Sequence, residues 1–348
     1  FGATQTNPFI FKVIAHAQIE SILDAKVKKN QAIFVATGSP LPKGADAVVM
    51  LEFTRKISQD EIEIFSSVTP MENVSQKGED IKKGEIILKK GVRLKPQDIG
   101  VLASLNRIRI KVAKKPIVAV ISTGNELVEP GEPVPPGRII DTDKIVLLNM
   151  VLDAGAIPLD LGIAKDNPEE IVSKLKEGVE KSHIVIITGG TSVGVRDFVH
   201  EAIEILGKLI VHGIAIRPAK PTGLGVIQGK PIISLSGYPV AAMIGFDLFV
   251  KPVIKKMLGA SEELENIVKA KAIRRIASSP GVREFVRVIV FRKNNELFIE
   301  PLKLRGSGIL SSMVKANGLL VIPENKEGIE AGEEVEVTLF KPILENEP

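Results

Sequence analysis

Cysteine and tryptophan are absent from this 348-residue chain, tyrosine occurs once and histidine four times. Without cysteine there is no disulfide, no thiolate nucleophile and no cysteine-ligated metal, a composition that fits the cytoplasm, which is the expected compartment. His16, His183, His200 and His212 stand at no metal-ligand spacing, so a histidine metal site is not expected. With so few aromatics, and with basic residues scattered along a chain of net charge +4, no nucleic-acid partner is expected. Small anions suit that mild positive balance better. No apolar run approaches the roughly 18 residues of a membrane span; residues 116–121 and 184–187 each stop at Ser or Thr. Residues 1–10 lack both the basic region and the apolar stretch of a secretory signal, so no membrane association is expected. Internal repeats and low-complexity tracts are also missing.

What is present describes an ordered protein: 44% hydrophobic and 25% charged residues, over a length that predicts two to four domains. Residues 1–75 read as β-rich, with short β-branched runs at 9–14, 32–36, 47–51 and 61–65 between Gly, Pro and Asn turns. Residues 76–113 are mixed, with a helix opening at Pro96 and running to about 105. Residues 114–258 alternate strand and helix, which predicts a parallel sheet covered on both faces. Its strands are expected at 116–122, 156–161, 183–188, 209–216 and 231–235. Helices are expected after Asn167-Pro168, with Glu170 placed for a capping box, after Asp197 and after Tyr238-Pro239. Residues 259–348 return to β, with strands at 284–291 and 297–303 about a Lys-Asn-Asn turn, then at 318–322 and 333–340. The expected fold class is therefore multidomain α/β, a central parallel-sheet domain flanked by β-rich domains, the C-terminal one a small β-barrel.

In an open parallel sheet, ligands bind outside the carboxyl ends of the strands. The loops there are Thr123-Gly124-Asn125-Glu126, then Gly189-Gly190-Thr191-Ser192-Val193-Gly194-Val195-Arg196-Asp197, then Arg217-Pro218-Ala219-Lys220, then Ser236-Gly237-Tyr238-Pro239. Glycine lets backbone N–H groups approach a ligand, and a helix N-terminus adds partial positive charge, so an anionic ligand is the direct inference. Arg217 and Lys220 add full positive charge. Glu126, Asp141, Asp143 and Asp197 gather in the same region, and carboxylates facing an anion make sense with a divalent cation between them or as acid and base. Magnesium suits such oxygen donors better than zinc. Each loop also has a plain reading: Gly189-Gly190 as a turn, Asp197 as a helix cap, Arg217 and Lys220 as solvated charges, Asp46 and Asp80 as turn residues. Convergence on one sheet edge is what favours a binding site.

The chain resembles the molybdopterin molybdenumtransferase family. The resemblance lies in Thr37-Gly38-Ser39-Pro40-Leu41-Pro42-Lys43-Gly44-Ala45-Asp46-Ala47-Val48-Val49 with Glu52, in Gly78-Glu79-Asp80-Ile81 with Gly84, in the complete Gly-Gly-x-Ser-x-Gly-x-x-Asp motif ending at Asp197, and in Gly306-Ser307-Gly308, Ser311 and Ala316-Asn317-Gly318. It runs over essentially the whole chain in the family's order. It implies four domains, for which the segments above give 1–75, 76–113, 114–258 and 259–348, and a homodimer with a cleft at its interface. The implied reaction inserts molybdenum or tungsten, from molybdate or tungstate, into adenylylated molybdopterin with release of AMP. It also implies magnesium as cofactor and the molybdopterin-adenylylating enzyme as a partner. By the same resemblance Asp80, Glu126 and Asp197 are the catalytic candidates, and Asp197 and Asp141 the metal candidates. Substrate would be held by Thr123, Gly189, Gly190, Thr191, Ser192, Gly194, Arg217, Lys220, Ser236, Gly237, Tyr238 and Pro239.

Several positions depart from the family's pattern. Thr-Gly-Asp-Glu-Leu reads with Asn125, Asp-Ser-Asn reads Asp141-Thr142-Asp143, Pro-Gly-Lys-Pro reads with Ala219, and Gly-Asn-Pro-Val-Ser reads with Tyr238 and Ala241. The family's Ser-x-Met-Asp-Gly-Tyr-Ala segment belongs before Phe1, so the chain is expected to be a trimmed product. Two alternatives stay open: adenylyl transfer to molybdopterin, since the α/β region resembles both enzymes, and a pterin-binding scaffold without turnover, which the departures suggest.

Overall fold

A computed structural model describes residues 2–20, 23–190, 197–261, 266–302 and 306–346. The chain divides into two compact units, Phe1–Ile87 and Leu88–Pro348. In the first, β1 (Phe9–Ala17), β2 (Gln31–Val35), β3 (Thr54–Lys56) and β4 (Glu61–Ile64) form one sheet in the order β2-β1-β4-β3. The strand expected at 47–51 is not formed. That segment bonds to a neighbouring turn instead: Val48 N–H donates to Glu72 O, Met71 N–H to Asp46 O, and the Asn73 amide to Val48 O at 2.8 Å. A β-branched run thus satisfies its backbone locally and never joins the ladder.

The second unit begins with α1 (Pro96–Ser104), opened by Pro96 as expected. Its α/β region then runs β5 (Ile117–Thr123), β6 (Leu127–Val128), β7 (Ile139–Ile140), α2 (Thr142–Asp153), β8 (Ile157–Ala164), α3 (Pro168–Lys181), β9 (Ile184–Thr188), α4 (Phe198–Leu206), β10 (Lys208–His212), β11 (Ile216–Arg217), β12 (Gly223–Ile227), β13 (Lys230–Leu235), α5 (Pro239–Gly245), a π-helical turn over Phe246–Val250 and α6 (Lys251–Leu258). Sheet order is β10-β12-β13-β9-β5-β8. Strands β13, β9, β5 and β8 are parallel, whereas β12 is antiparallel to both its neighbours. The sheet is therefore parallel over β13, β9, β5 and β8, as expected, and differs at the β10–β12 side, where the ladder is antiparallel.

Two local causes explain the difference. Residues 209–216 cannot form one strand, because Gly213 turns the chain at φ +81°. Gln228 and Gly229 both have positive φ, which makes the two-residue turn that closes a tight hairpin between β12 and β13.

The central strands are hydrophobic on both faces because both faces are covered. Along β5, Ala119 and Ile121 pack with α3 and α4 residues such as Leu175 and Ile203. Val118 and Val120 pack on the opposite side with Leu147 of α2 and Ala242 of α5. Strand β9 repeats the split, Val185 and Ile187 on one side and Ile184 and Ile186 on the other, all fully buried. This period of two inside an unbroken apolar run is what a doubly covered parallel strand requires. Asn167 caps α3, its Oδ1 accepting the Glu169 and Glu170 N–H groups at 2.8 and 3.3 Å. The expected capping box is not completed: Lys165 O already accepts the Asn167 N–H at 2.7 Å that Glu170 would have taken.

Downstream come β14 (Ile267–Ala272), β15 (Ile276–Ala277), β16 (Arg283–Lys293), β17 (Glu296–Pro301), α7 (Ser311–Lys315), β18 (Gly318–Ile322), β19 (Gly328–Ile329) and β20 (Glu334–Leu339). The ladder β16-β17-β14-β20-β18 closes back on itself through β18 and β16, giving the expected barrel with five strands. Asn294 and Asn295, both at positive φ, turn β16 into β17. Short β11 leaves the α/β region to pair in parallel with β16, joining barrel to sheet within this unit.

Candidate functional site

Strand register decides which loops meet. Leu235 pairs with Thr188, Thr188 with Ser122, and Thr123 with Ala164, so the chain leaves β13, β9, β5 and β8 along one edge. The Gly189 N–H donates to Leu235 O at 3.3 Å, and the Gly124 N–H to Ala164 O at 3.2 Å. Gly189 and Gly190 lie at φ +83° and +64°. A Cβ on Gly189 would stand 2.3 Å from Thr123 O, and one on Gly190 2.7 Å from a Val199 methyl. The backbones approach so closely that only glycine fits. Beside them the Thr123 hydroxyl is buried without a hydrogen-bond partner, an available donor and acceptor at the edge. Thr191, Ser192 and Gly194 lie outside the described residues.

Asp197 caps α4, with Oδ1 accepting the His200 N–H at 3.1 Å. Its other oxygen, Oδ2, faces two histidines, 2.7 Å from His200 Nδ1 and 3.7 Å from His212 Nε2. The imidazoles meet edge to face with ring centroids 4.1 Å apart. Sequence spacing gave no sign of this meeting of two histidines with Asp197. His200 lies on a helix and His212 at the end of β10, and register makes them neighbours: His212 pairs with Gly223, and Gly223 with Ser234, whose hydroxyl lies 2.8 Å from His200 Nε2.

The loop between β10 and β12 emerges at the same edge, held by Gly213 N–H to Thr222 O and Ile214 N–H to Lys220 O. It contains a cis peptide at Arg217-Pro218 and places buried Ala219 at φ +82°. Left-handed backbone costs a non-glycine residue about 1–2 kcal/mol. Burial of the methyl offsets part of that cost. Arg217 and Lys220 are exposed. Arg217 reaches the Ser279 hydroxyl at 3.5 Å, and among the described residues neither side chain pairs with a carboxylate, leaving both charges for an anion.

Ser236 is buried, and Gly237 packs on Gly189, where a Cβ would come within 3.2 Å of its Cα. Pro239 opens α5 behind exposed Tyr238. The barrel comes in here, a contribution that the sequence reading did not assign to the site. Ser307 O accepts the Val240 N–H at 3.0 Å, and Gly308 lies against the Tyr238 ring.

On the other flank, Glu126 is exposed and its backbone carbonyl accepts the Ile139 N–H, beginning the β6–β7 ladder that leads to Asp141. Asn125 exchanges two 3.3 Å bonds with Asp166 through its backbone N–H and its side-chain oxygen, atoms that the family's aspartate also offers. Asp141 caps α2, Oδ1 accepting the Lys144 N–H at 3.1 Å, while Oδ2 is buried without a partner. The Asp143 Oδ2 is likewise buried and unpartnered. Burial, and then the neighbouring charge of Asp141, push the Asp143 carboxyl up to about 7. Lys144 is buried and lies 2.5 and 2.6 Å from the two Glu129 oxygens and 3.5 Å from Asp160. Burial alone would lower its pKa, but the bond to Glu129 and the charges of Asp160, Glu129 and Asp141 outweigh it and hold the ammonium above its ordinary range. Asp143 was among the carboxylates read from sequence, but Lys144, Glu129 and Asp160 were not, because nothing there signals burial of charge. Asp80 belongs to the first unit and is exposed near the Gly78 turn.

Comparison with known proteins agrees along the whole chain. Residues 1–106 match the MoeA N-terminal region (domain I and II), residues 119–256 a probable molybdopterin binding domain, and residues 269–340 the MoeA C-terminal region (domain IV). A Methanocaldococcus jannaschii protein named for molybdopterin biosynthesis is 39% identical, over 98% of this chain and 82% of its own length. The molybdopterin molybdenumtransferase of Staphylococcus aureus is 34% identical, over 97% of this chain and 81% of its own. Among solved structures, the molybdopterin biosynthesis MoeA protein of Pyrococcus horikoshii superposes with a TM-score of 0.80 at 36% identity, covering 98% of this chain and 83% of that one.

Proposed function

The chain belongs to the molybdopterin molybdenumtransferase family, and from that premise we propose that it inserts molybdenum or tungsten, taken from the oxyanion, into adenylylated molybdopterin with release of AMP. The observation that carries this reading is the single sheet edge where glycine backbone converges with the Thr123 hydroxyl and the cations Arg217 and Lys220, the hydroxyl without a hydrogen-bond partner and the cations without a carboxylate among the described residues. Such an edge suits a substrate carrying phosphates and a metal that arrives as an oxyanion.

In this reading Lys220 and Arg217 hold phosphate or oxyanion by charge. The backbone at Gly189-Gly190, with Ser236 and Gly237 beside it, accommodates the ligand closely because no side chain intervenes. Tyr238, backed by Gly308, offers an exposed ring face at the rim. Asp197 positions the water that attacks the adenylyl phosphorus, and Glu126 supplies a further carboxylate.

Magnesium, the cation that the resemblance implies, does not fit these residues. Among the described residues, two of the three donors at Asp197 are imidazole nitrogens, and the free Asp141 oxygen is closed off from solvent. Magnesium takes oxygen donors and keeps several of its waters. The step is therefore derived without it. We also propose a homodimer in the cytoplasm as the working form, which a single-chain mass by light scattering would rule out.

The test is AMP release from adenylylated molybdopterin by purified variants. Lys220→Ala should raise KM by about tenfold or more, the loss of one charge-assisted contact. Asp197→Ala should abolish release while the protein stays folded by circular dichroism. Unchanged turnover in both would sink the assignment.

A further inference from the structure

We propose that Asp197, His200 and His212 form a three-ligand site for a divalent transition ion of the zinc class, with a coordination position left open toward solvent. The ligand atoms are Asp197 Oδ2, His200 Nδ1 and His212 Nε2, all within 4.8 Å of one another. Two ligands of one tetrahedral zinc lie about 3.4 Å apart. The 3.7 Å between Asp197 and His212 is close to that, and the 2.7 Å between Asp197 and His200 needs to open by less than about 1 Å, a small rotation of the carboxylate.

A second observation points to an ion independently of the clustering. The His200 side chain is 5% exposed, yet its Nδ1 has no hydrogen-bond partner. The Asp197 oxygen is near, but off the line that a ring N–H would need. A buried imidazole nitrogen held 2.7 Å from a carboxylate oxygen without hydrogen-bond alignment is unfavourable in an empty site and favourable around a cation.

The surroundings fix the ring for this task. If the Nε2–H of His200 donates to the Ser234 hydroxyl at 2.8 Å, Nδ1 keeps its lone pair, the tautomer that a metal requires. Gly223 makes room, since a Cβ there would stand 2.4 Å from His200 Nε2 and 2.5 Å from Ser234 Oγ. Asp197 uses Oδ1 as a helix cap and leaves Oδ2 free to ligate. On the outer side the His212 side chain is 60% exposed, so water or an oxyanion oxygen can complete the coordination. Two imidazoles and one carboxylate are the donors of a borderline ion, not of magnesium.

The ion's part in catalysis rests on the proposed function, but its binding does not, and binding is read without turnover. Untagged protein is stripped with chelator and titrated calorimetrically with zinc, with excess magnesium as competitor. Cobalt serves as a spectroscopic probe. One zinc per chain is expected, indifferent to magnesium, and cobalt should give the visible spectrum of a four-coordinate site. His212→Ala should lose saturable binding and that spectrum with unchanged circular dichroism, because its side chain lies at the surface; His212→Gln should behave alike. Ser234→Ala should bind about 10–100-fold more weakly. No saturable zinc binding by the wild type, equal competition by magnesium, or wild-type affinity in both His212 variants would overturn the site. Failure here with AMP release intact would leave the proposed reaction standing.

Discussion

Asp143 stands where the family carries asparagine, and burial keeps its carboxyl protonated up to a pH of about 7. A protonated carboxylic acid resembles the asparagine amide in shape and in offering a donor, so this departure is muted below that pH. Above it a second buried charge appears beside Asp141. Because the folded pKa lies above the unfolded value, the unfolded chain releases its proton first as pH rises. Stability therefore falls from about pH 4 to about pH 7 and then levels off. Asp143→Asn removes that titration. The variant should gain on the wild type through this window, reaching roughly 2–4 kcal/mol at pH 8 in urea unfolding. A constant difference between pH 4 and pH 8 would contradict the burial argument.

Among the elements, α4 illustrates what sequence reveals and what it conceals. Its start after Asp197 was legible, because a polar cap preceding an apolar-periodic run has a local cause. Its partners were not. The strand Gly223–Ile227 opens Gly-Leu-Gly, which reads as loop, and it becomes a strand because a two-residue turn folds it against β13. Through that strand Gly223 receives the His200 ring, and His212 comes alongside. Contacts made by ladder register leave no fixed spacing in the chain. The same limit hid the barrel's Ser307 and Gly308 behind Tyr238, whereas the edge loops of β5, β9 and β13 were readable from glycine following β-branched runs. Gly223→Ala should push α4 off the sheet. The expected loss is about 1–3 kcal/mol in urea unfolding, as for an overpacked core position, with zinc affinity falling in parallel. Wild-type stability in that variant would mean that the close approach is not built into the fold.

For the whole molecule, domain style was legible from composition: alternating strands and helices for the central region, short strands with Asn and Gly turns on either side. Among the described residues, the four apolar cores all lie within the second unit, between Val118 and Leu339. Residues 88–348 alone are therefore expected to unfold in one cooperative transition and to retain the zinc site, as circular dichroism and calorimetry would register. A molten, non-cooperative fragment would show that the first unit is needed for the core. The AMP-releasing reaction, by contrast, is proposed for the whole chain.

The central claim is metal insertion at the carboxyl edge of the central sheet. Its most direct measurement supplies adenylylated molybdopterin and molybdate to the purified protein, without ATP, and follows AMP and metal-loaded pterin together. The account predicts that both appear in equal amounts. AMP released without metal-loaded pterin, or adenylylated molybdopterin left intact in the presence of molybdate, would contradict it.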